Sequence, residues 1–192
     1  MNRKLRTIEI CYAGIFVALM AIGANITSIV PFMVIGGVPI TLQTFFALLS
    51  GAMLGSRLGT ISMIAYAFIG LVGAPVFAQF GSGIRTVLSP TFGFILSYIL
   101  IAYVIGKMIE KNQSFVSYIL AAIIGLVLNY IIGTNWMYAA YKLWAQAPDA
   151  FSYLLVWLWM VIPLPKDIIL SILAGFIAHR IRRVTPAIAL KQ

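Results

Sequence analysis

Acidic side chains are the scarcest feature of this chain. Its 192 residues hold four: Glu9, Glu110, Asp149 and Asp167. Of these only Asp167 is expected to lie deep, so paired carboxylates for acid–base chemistry are lacking. There is one histidine, His179, and one cysteine, Cys11. Together they cannot make a metal site of the usual kinds, a Ser/His/Asp set or an internal disulfide. His179, beside Arg180, reads as a solvated flank residue, and Cys11 as a small apolar filler. No Gly-x4-Gly-Lys-Ser/Thr motif is present, which argues against ATP hydrolysis by a P-loop. No internal repeat of solenoid or transporter type is visible, and buried ionisable groups for ion coupling are few. These absences argue against an enzyme, a cofactor and a self-driven pump.

Charged residues make up 9% of the chain and hydrophobic ones 62%. Soluble domains carry about 25% charged residues. The composition predicts an integral, multi-pass membrane protein whose residues 1–192 form a single all-α domain, because backbone groups in lipid must be satisfied within helices. The net charge of +9 is placed in a pattern. Arg3, Lys4, Arg6, Arg57, Lys107, Lys111, Arg180, Arg182, Arg183 and Lys191 flank one side of the expected spans, ten of the thirteen cations. Arg85 and Lys142 flank the other, and Lys166 stands apart. This positive-inside distribution predicts a cell-membrane protein with both termini cytoplasmic and an even number of spans. The partner of the charge is then the lipid bilayer, and no aromatic-basic surface supports a nucleic-acid role.

Six spans follow from the apolar runs: Ile8 to Ile29, Ile40 to Leu54, Thr60 to Val72, a fourth from Ser89-Pro90-Thr91 to Ile105, Phe115 to Tyr138, and Leu164 to His179. Gly14 and Ala18, four apart on the first span, let another helix approach closely. Internal packing and contact with a second membrane protein both fit. Gly51, Gly55 and Gly59 bracket a tight turn carrying Ser56 and Arg57. The short, Gly-rich second and third spans predict helices not fully exposed to lipid. Pro31 to Pro39 reads as a loop. Gly73 to Ser89 is too apolar to extend into water and is expected to fold back over the bundle mouth. Phe151 to Ile162 is too short to span and predicts a re-entrant or interfacial helix.

The stretch Pro163-Leu164-Pro165-Lys166-Asp167 puts a base and an acid at the mouth of an apolar segment. A charge at the centre of a membrane helix costs roughly 3 kcal/mol on insertion scales, so such residues are functional candidates. The prolines predict a helix start, with Asp167 near the positive end of its dipole. Asn129, inside the fifth span, either ties two helices together or meets a polar ligand. Polar residues at the outer end suit a small solute.

Several motifs identify a family. Val38-Pro39-Ile40-Thr41-Leu42-Gln43-Thr44, Gly51-Ala52-Met53-Leu54-Gly55-Ser56-Arg57-Leu58-Gly59, Tyr66 through Gly70 and Pro75-Val76-Phe77-Ala78 closely resemble the BioY family. These are the biotin-specific S components of energy-coupling factor (ECF) transporters. Ser89-Pro90-Thr91-Phe92-Gly93-Phe94, Asn129-Tyr130-Ile131-Ile132-Gly133 and the segment ending at Asp167 are similar to further motifs of that family. The family has Gly where this chain has Lys166, Lys where it has Leu170, and more often Gly at Gln79 and Arg85. The resemblance implies a six-helix S component that binds biotin from outside. It also implies a transmembrane T component and two ABC ATPases as partners, with toppling on docking. An S component for another vitamin and a membrane assembly protein are the alternatives.

Biotin presents two ureido N–H donors, one carbonyl acceptor, an apolar thioether ring and a carboxylate tail. Under this resemblance, Asp167 accepts a ureido N–H, Asn129 donates and accepts, and Lys166 or Arg85 meets the carboxylate. Gln43, Thr41, Gln79 and Tyr138 are secondary ligand candidates, with Trp136 or Phe77 as a wall. Thr41 and Gln43 equally suit the loop backbone, Arg85 a solvated loop and Tyr138 the headgroup belt. Lys166 and Asp167 can neutralise each other. However, neighbours on a helix point about 100° apart, which favours two different partners.

Overall fold

The structure, a computed structural model, describes residues 5–26, 34–35, 38–39 and 41–184. Six α-helices carry the fold: α1 Thr7–Asn25, α2 Gln43–Val72, α3 Phe92–Lys111, α4 Phe115–Leu143, α5 Tyr153–Val161 and α6 Leu164–Val184. A two-residue antiparallel pair, β1 Val34–Ile35 with β2 Val38–Pro39, lies within the expected Pro31–Pro39 loop. The rest of that loop, the two ends of the expected Ile8–Ile29 and Ile40–Leu54 spans that meet it, and Arg3, Lys4 and Lys191 fall outside the described residues.

Helices α1 to α4 are each long and apolar enough to cross a membrane. The α5–α6 pair passes the same test together, bent by 57° at the break before Leu164. Helix α2 is a hairpin of two arms. Gly55 has φ 80° and ψ 176°, a conformation costly for any residue with a Cβ, and there the chain reverses. The arms close so tightly that a Cβ on Gly59 would lie 3.0 Å from the Gly51 Cα. Two arms of α2, with α1, α3, α4 and the bent pair, give six helical segments, of which α1, α2 as a whole, α3, α4 and the bent pair have the length and apolarity of membrane spans.

The first arm of α2 is central. It packs between α1, α3 and α6 and has no exposed residue from Gln43 to Leu54. The second arm is only partly covered, as its glycines predict: Ser62, Met63, Tyr66, Ala67 and Gly70 are buried on one face. Ile64, Phe68 and Val72 are exposed, because the arm lies at the bundle edge and offers an apolar face to lipid. Close approach of α2 to α3 depends on missing side chains. A Cβ on Gly51 would meet the Ala102 carbonyl oxygen at 2.6 Å, and one on Gly106 would collide with the Ser56 backbone.

Three boundaries run farther than the hydrophobic runs indicate. Helix α3 continues to Lys111 rather than ending near Ile105. Its last turn is functional in the fold: Glu110 Oε1 accepts the Ser56 N–H at 2.7 Å, capping the second arm of α2, and Oε2 pairs with Lys107 at 3.2 Å. Helix α4 continues past Tyr138 to Leu143, its last turns wrapped by Phe151, Tyr153 and Trp159. Helix α6 continues past His179 to Val184. Asp167 is also not the one buried acid: Glu9 is 5% exposed, folded back on the first turn of α1, where it accepts the Arg6 N–H at 2.8 Å. His179 is not simply solvated. Its ring packs edge-on against Phe115 and Tyr118. Cys11 is exposed on α1.

Among the described residues the buried apolar side chains form two groups. The larger joins α1, α2 and α3 with the starts of α4 and the end of α6. The smaller, Leu126, Tyr130, Met137, Val156 and Met160, joins α4 to α5. A cavity separates them near the start of α6.

Candidate functional site

The cavity holds about 340 Å³. That lies at the lower end of the roughly 300–1,000 Å³ typical of small-molecule sites. Each wall comes from a different element. The start of the first arm of α2 supplies Gln43 and Thr44, and Thr41 comes from just before it. The loop after the second arm supplies Phe77, Ala78, Gln79 and Gly81. Helix α3 and its N-terminal approach supply Ser89, Thr91, Phe94 and Tyr98. Helix α4 supplies Asn129, Tyr130 and Tyr141, and the α5–α6 corner supplies Met160, Pro163, Lys166 and Asp167.

The charged corner is built by the helix break. Val161 ends α5, Leu164 opens α6, and the Asp167 N–H reaches back to the Pro163 carbonyl at 3.0 Å. Asp167 is 7% exposed and its two oxygens are differently engaged. Oδ2 accepts from the Tyr130 hydroxyl at 2.7 Å. Oδ1 meets Lys166 Nζ at 2.7 Å. Lys166 also donates to the Thr41 carbonyl at 2.7 Å. The helical angle between neighbours therefore does not keep the pair apart, contrary to the expectation from sequence. Lysine has a four-carbon stem, and in the first helical turn it can curl back to its neighbour while bridging to α2. Each member also keeps a second partner. The arrangement suits a buried pair, whose charges need additional hydrogen bonds to offset desolvation.

Asn129 forms a second polar group. Its Nδ2 donates to Thr44 Oγ1 at 3.3 Å, and its Oδ1 accepts from Ser97 Oγ at 2.5 Å. It is 1% exposed, yet it borders the cavity. So it does tie α2, α3 and α4 together, and one amide hydrogen and one lone pair have no hydrogen-bond partner among the described residues.

The Gly73–Ser89 loop folds back over the bundle, as its apolar character predicts. Phe77 is buried against the face of Gly70 and edge-on to Tyr66, with ring centroids 5.5 Å apart. The Tyr66 hydroxyl donates to the Val76 carbonyl at 2.9 Å and accepts from Gln43 Nε2 at 2.8 Å. Asn25 Oδ1, at the end of α1, accepts the Phe80 N–H at 2.6 Å. On the other side, Trp136 of α4 and Trp144, just past its end, donate to the carbonyls of Ser89 and Leu88 at 3.2 and 2.7 Å. Gln79 and Phe80, at the tip, have φ 58° and 55°. Side chains rarely adopt that left-handed region.

Of the eight ligand candidates named from sequence, Thr41, Gln43, Gln79, Asn129, Lys166 and Asp167 border the cavity. Arg85 and Tyr138 do not. Arg85 sits in a 3-10 helix, Ile84–Leu88, and Tyr138 stacks on Phe151 at 5.5 Å with Lys142 over its ring. Thr41 also serves the local backbone, since its Oγ1 accepts the Gln43 N–H at 3.4 Å. Phe77 forms a wall, whereas Trp136 packs on Phe92 and Trp144. Tyr130, Thr44, Tyr98 and Tyr141 were missed. Tyr130 lies beside Asn129 in a recognised motif, so its place was marked, but its partnership with Asp167 arises only from α4 packing on α6. Gly14 and Ala18 face outward on α1, and nothing lies within 4 Å of a Cβ placed on Gly14.

A family model described as "BioY family" matches residues 1–187. The putative biotin transporter BioYB of Bacillus subtilis is 44% identical over 95% of this chain and 91% of its own length. The probable biotin transporter BioY of Lysinibacillus sphaericus is 37% identical, over 96% and 91%. The crystal structure of the S-component for biotin from an ECF-type ABC transporter superposes with TM-score 0.76 at 22% identity, covering 95% of both chains. That similarity shows a shared fold. With the family match and these identities across nearly its whole length, the chain belongs to the BioY family.

Proposed function

We propose that this chain is the substrate-binding S component of a biotin importer, with the α5–α6 corner as its ureido site. The observation that carries the reading is the Lys166–Asp167 pair, held at 2.7 Å on the cavity wall. A ureido edge sets an N–H donor beside a carbonyl acceptor. Asp167 and Lys166 set an acceptor beside a donor at matching scale. Asp167 accepts the N–H through a charge-assisted bond, and the ammonium, with three donors and two in use, gives its third to the carbonyl. Asn129 lies within the same polar wall. Phe77, Phe94, Tyr98 and Met160 supply the apolar and aromatic surface for the thioether ring. The valerate then runs toward Gln79 and the loop, whose tip closes the mouth.

The wider reading draws on the family. The cation distribution supports a reading with both termini in the cytoplasm and the cavity at the extracellular face. The absence of a P-loop motif fits a division of labour in which a separate module, a T component with two ABC ATPases, supplies the energy for import. The outward Gly14–Ala18 face of α1 is the surface offered to that T component, since small residues permit close helix approach. Nothing in this role is enzymatic.

Calorimetry on the purified chain with biotin, thiamine and riboflavin tests the reading. Submicromolar binding of biotin alone is expected. Absence of such binding for biotin, or tighter binding of either other vitamin, overturns it.

A further inference from the structure

At the opposite end of the bundle, a second recess of about 390 Å³ lies between the start of α4 and the end of α6. Ser114, Phe115 and Tyr118 line one side, and His179, Arg182 and Arg183 the other. Arg182 Nη1 donates to the Tyr118 hydroxyl at 3.4 Å, which leans the guanidinium on α4. Its Nε is buried and has no hydrogen-bond partner among the described residues. A buried guanidinium N–H without an acceptor is costly, so the position calls for an oxygen-rich anion.

No side chain among the described residues supplies one. The ion pairs among the described residues join Glu9 to Arg6, Glu110 to Lys107 and Asp167 to Lys166, and none involves Arg182 or Arg183. Asp149 lies beyond the far end of α4. Residues 185–192, which follow α6 directly, contain no Asp or Glu. Meanwhile α4, a helix of 29 residues, begins at Phe115 and points its positive end into the recess. Two guanidinium forks and a helix N-terminus together match a phosphate, whose oxygens accept paired N–H donors. The apolar surface next to it favours a lipid as the carrier. Phe115, Val116, Ile172 and Phe176 are all exposed on the adjoining faces of α4 and α6, where an acyl chain would lie.

We propose that this recess is a binding site for a phosphate group, as borne by an anionic phospholipid headgroup, held by Arg182, Arg183 and the start of α4. Native mass spectrometry of the full chain, released from bilayers of equal phosphatidylcholine and phosphatidylglycerol, tests it. The expected result is preferential retention of phosphatidylglycerol. Retention falls at least roughly tenfold in Arg182→Gln/Arg183→Gln, the scale of lost charge-assisted bonds. It persists in Lys111→Gln/Arg180→Gln, which removes equal charge outside the recess. Biotin binding in both variants reports that the fold is intact. A parallel arm measures the thermal midpoint in detergent with inorganic phosphate. Stabilisation of the wild type that the Arg182/Arg183 variant lacks, without lipid preference, assigns the same site to soluble phosphate. Equal retention of both lipids by the wild type, with no response to phosphate, overturns the proposal even if a variant fails to fold. So does equal loss in the two paired variants.

Discussion

The Tyr130 hydroxyl donates to Asp167 Oδ2 at 2.7 Å, joining α4 to α6 on the wall of the cavity. The phenol fixes one carboxylate oxygen, leaving the other between Lys166 and the open space. Tyr130→Phe removes a hydrogen bond to a buried charge without changing the ring. Biotin affinity is expected to fall by about threefold to tenfold, less than the roughly 1.5–3 kcal/mol of a bond to a charge, because the Tyr130 bond is present with and without ligand. Calorimetric titration checks it.

The two cations named for the biotin carboxylate separate experimentally. Lys166 borders the cavity and Arg85 does not. Arg85→Gln is expected to leave biotin affinity within about twofold, as for an exposed charge. Lys166→Gln is expected to weaken it by roughly tenfold or more, because Asp167 then loses its partner and the ligand loses a charge-assisted donor. Side-by-side titration of the two variants reads the contrast.

The loop tip is strained where a side chain occupies a left-handed position. Gln79→Gly is expected to raise the thermal midpoint by relieving φ 58°, an effect of about 1 kcal/mol. Gln79→Val is expected to lower it, since a β-branched residue tolerates that region least. Thermal unfolding of the ligand-free protein separates strain from any contact between Gln79 and ligand.

The α2–α3 seam depends on bare backbone. Gly106→Ala drives a methyl into the Ser56 backbone next to the Gly55 reversal, and rigid main chain cannot step aside. A loss of about 1–3 kcal/mol is expected, typical of overpacking. Gly14→Ala, with open space around it, is expected to leave stability unchanged. Thermal midpoints of the two variants in detergent make the comparison.

Much of this was legible in the chain. The apolar runs and the Gly51–Gly55–Gly59 spacing marked the spans and the hairpin, because lipid forces helices and only glycine turns so sharply. The Pro163–Asp167 segment marked a helix start. Helix ends were less legible. Turns held by polar partners, such as Glu110 on Ser56, carry no hydrophobic signal. The site was readable where family motifs and unusual polar residues coincided, as at Asn129 and Asp167. It was unreadable where ordinary aromatics gain meaning from tertiary packing, as with Tyr130 and Tyr98. The contact between Lys166 and Asp167 was misjudged because backbone geometry was weighed without the reach of a lysine stem.

The most direct test titrates biotin into wild type and Asp167→Asn under identical conditions. The account predicts submicromolar binding for the wild type. It predicts a loss of roughly tenfold or more in the variant, the scale of a charge-assisted bond of about 1.5–3 kcal/mol. A variant that binds biotin within about twofold of the wild type would contradict the placing of Asp167 against the ureido ring.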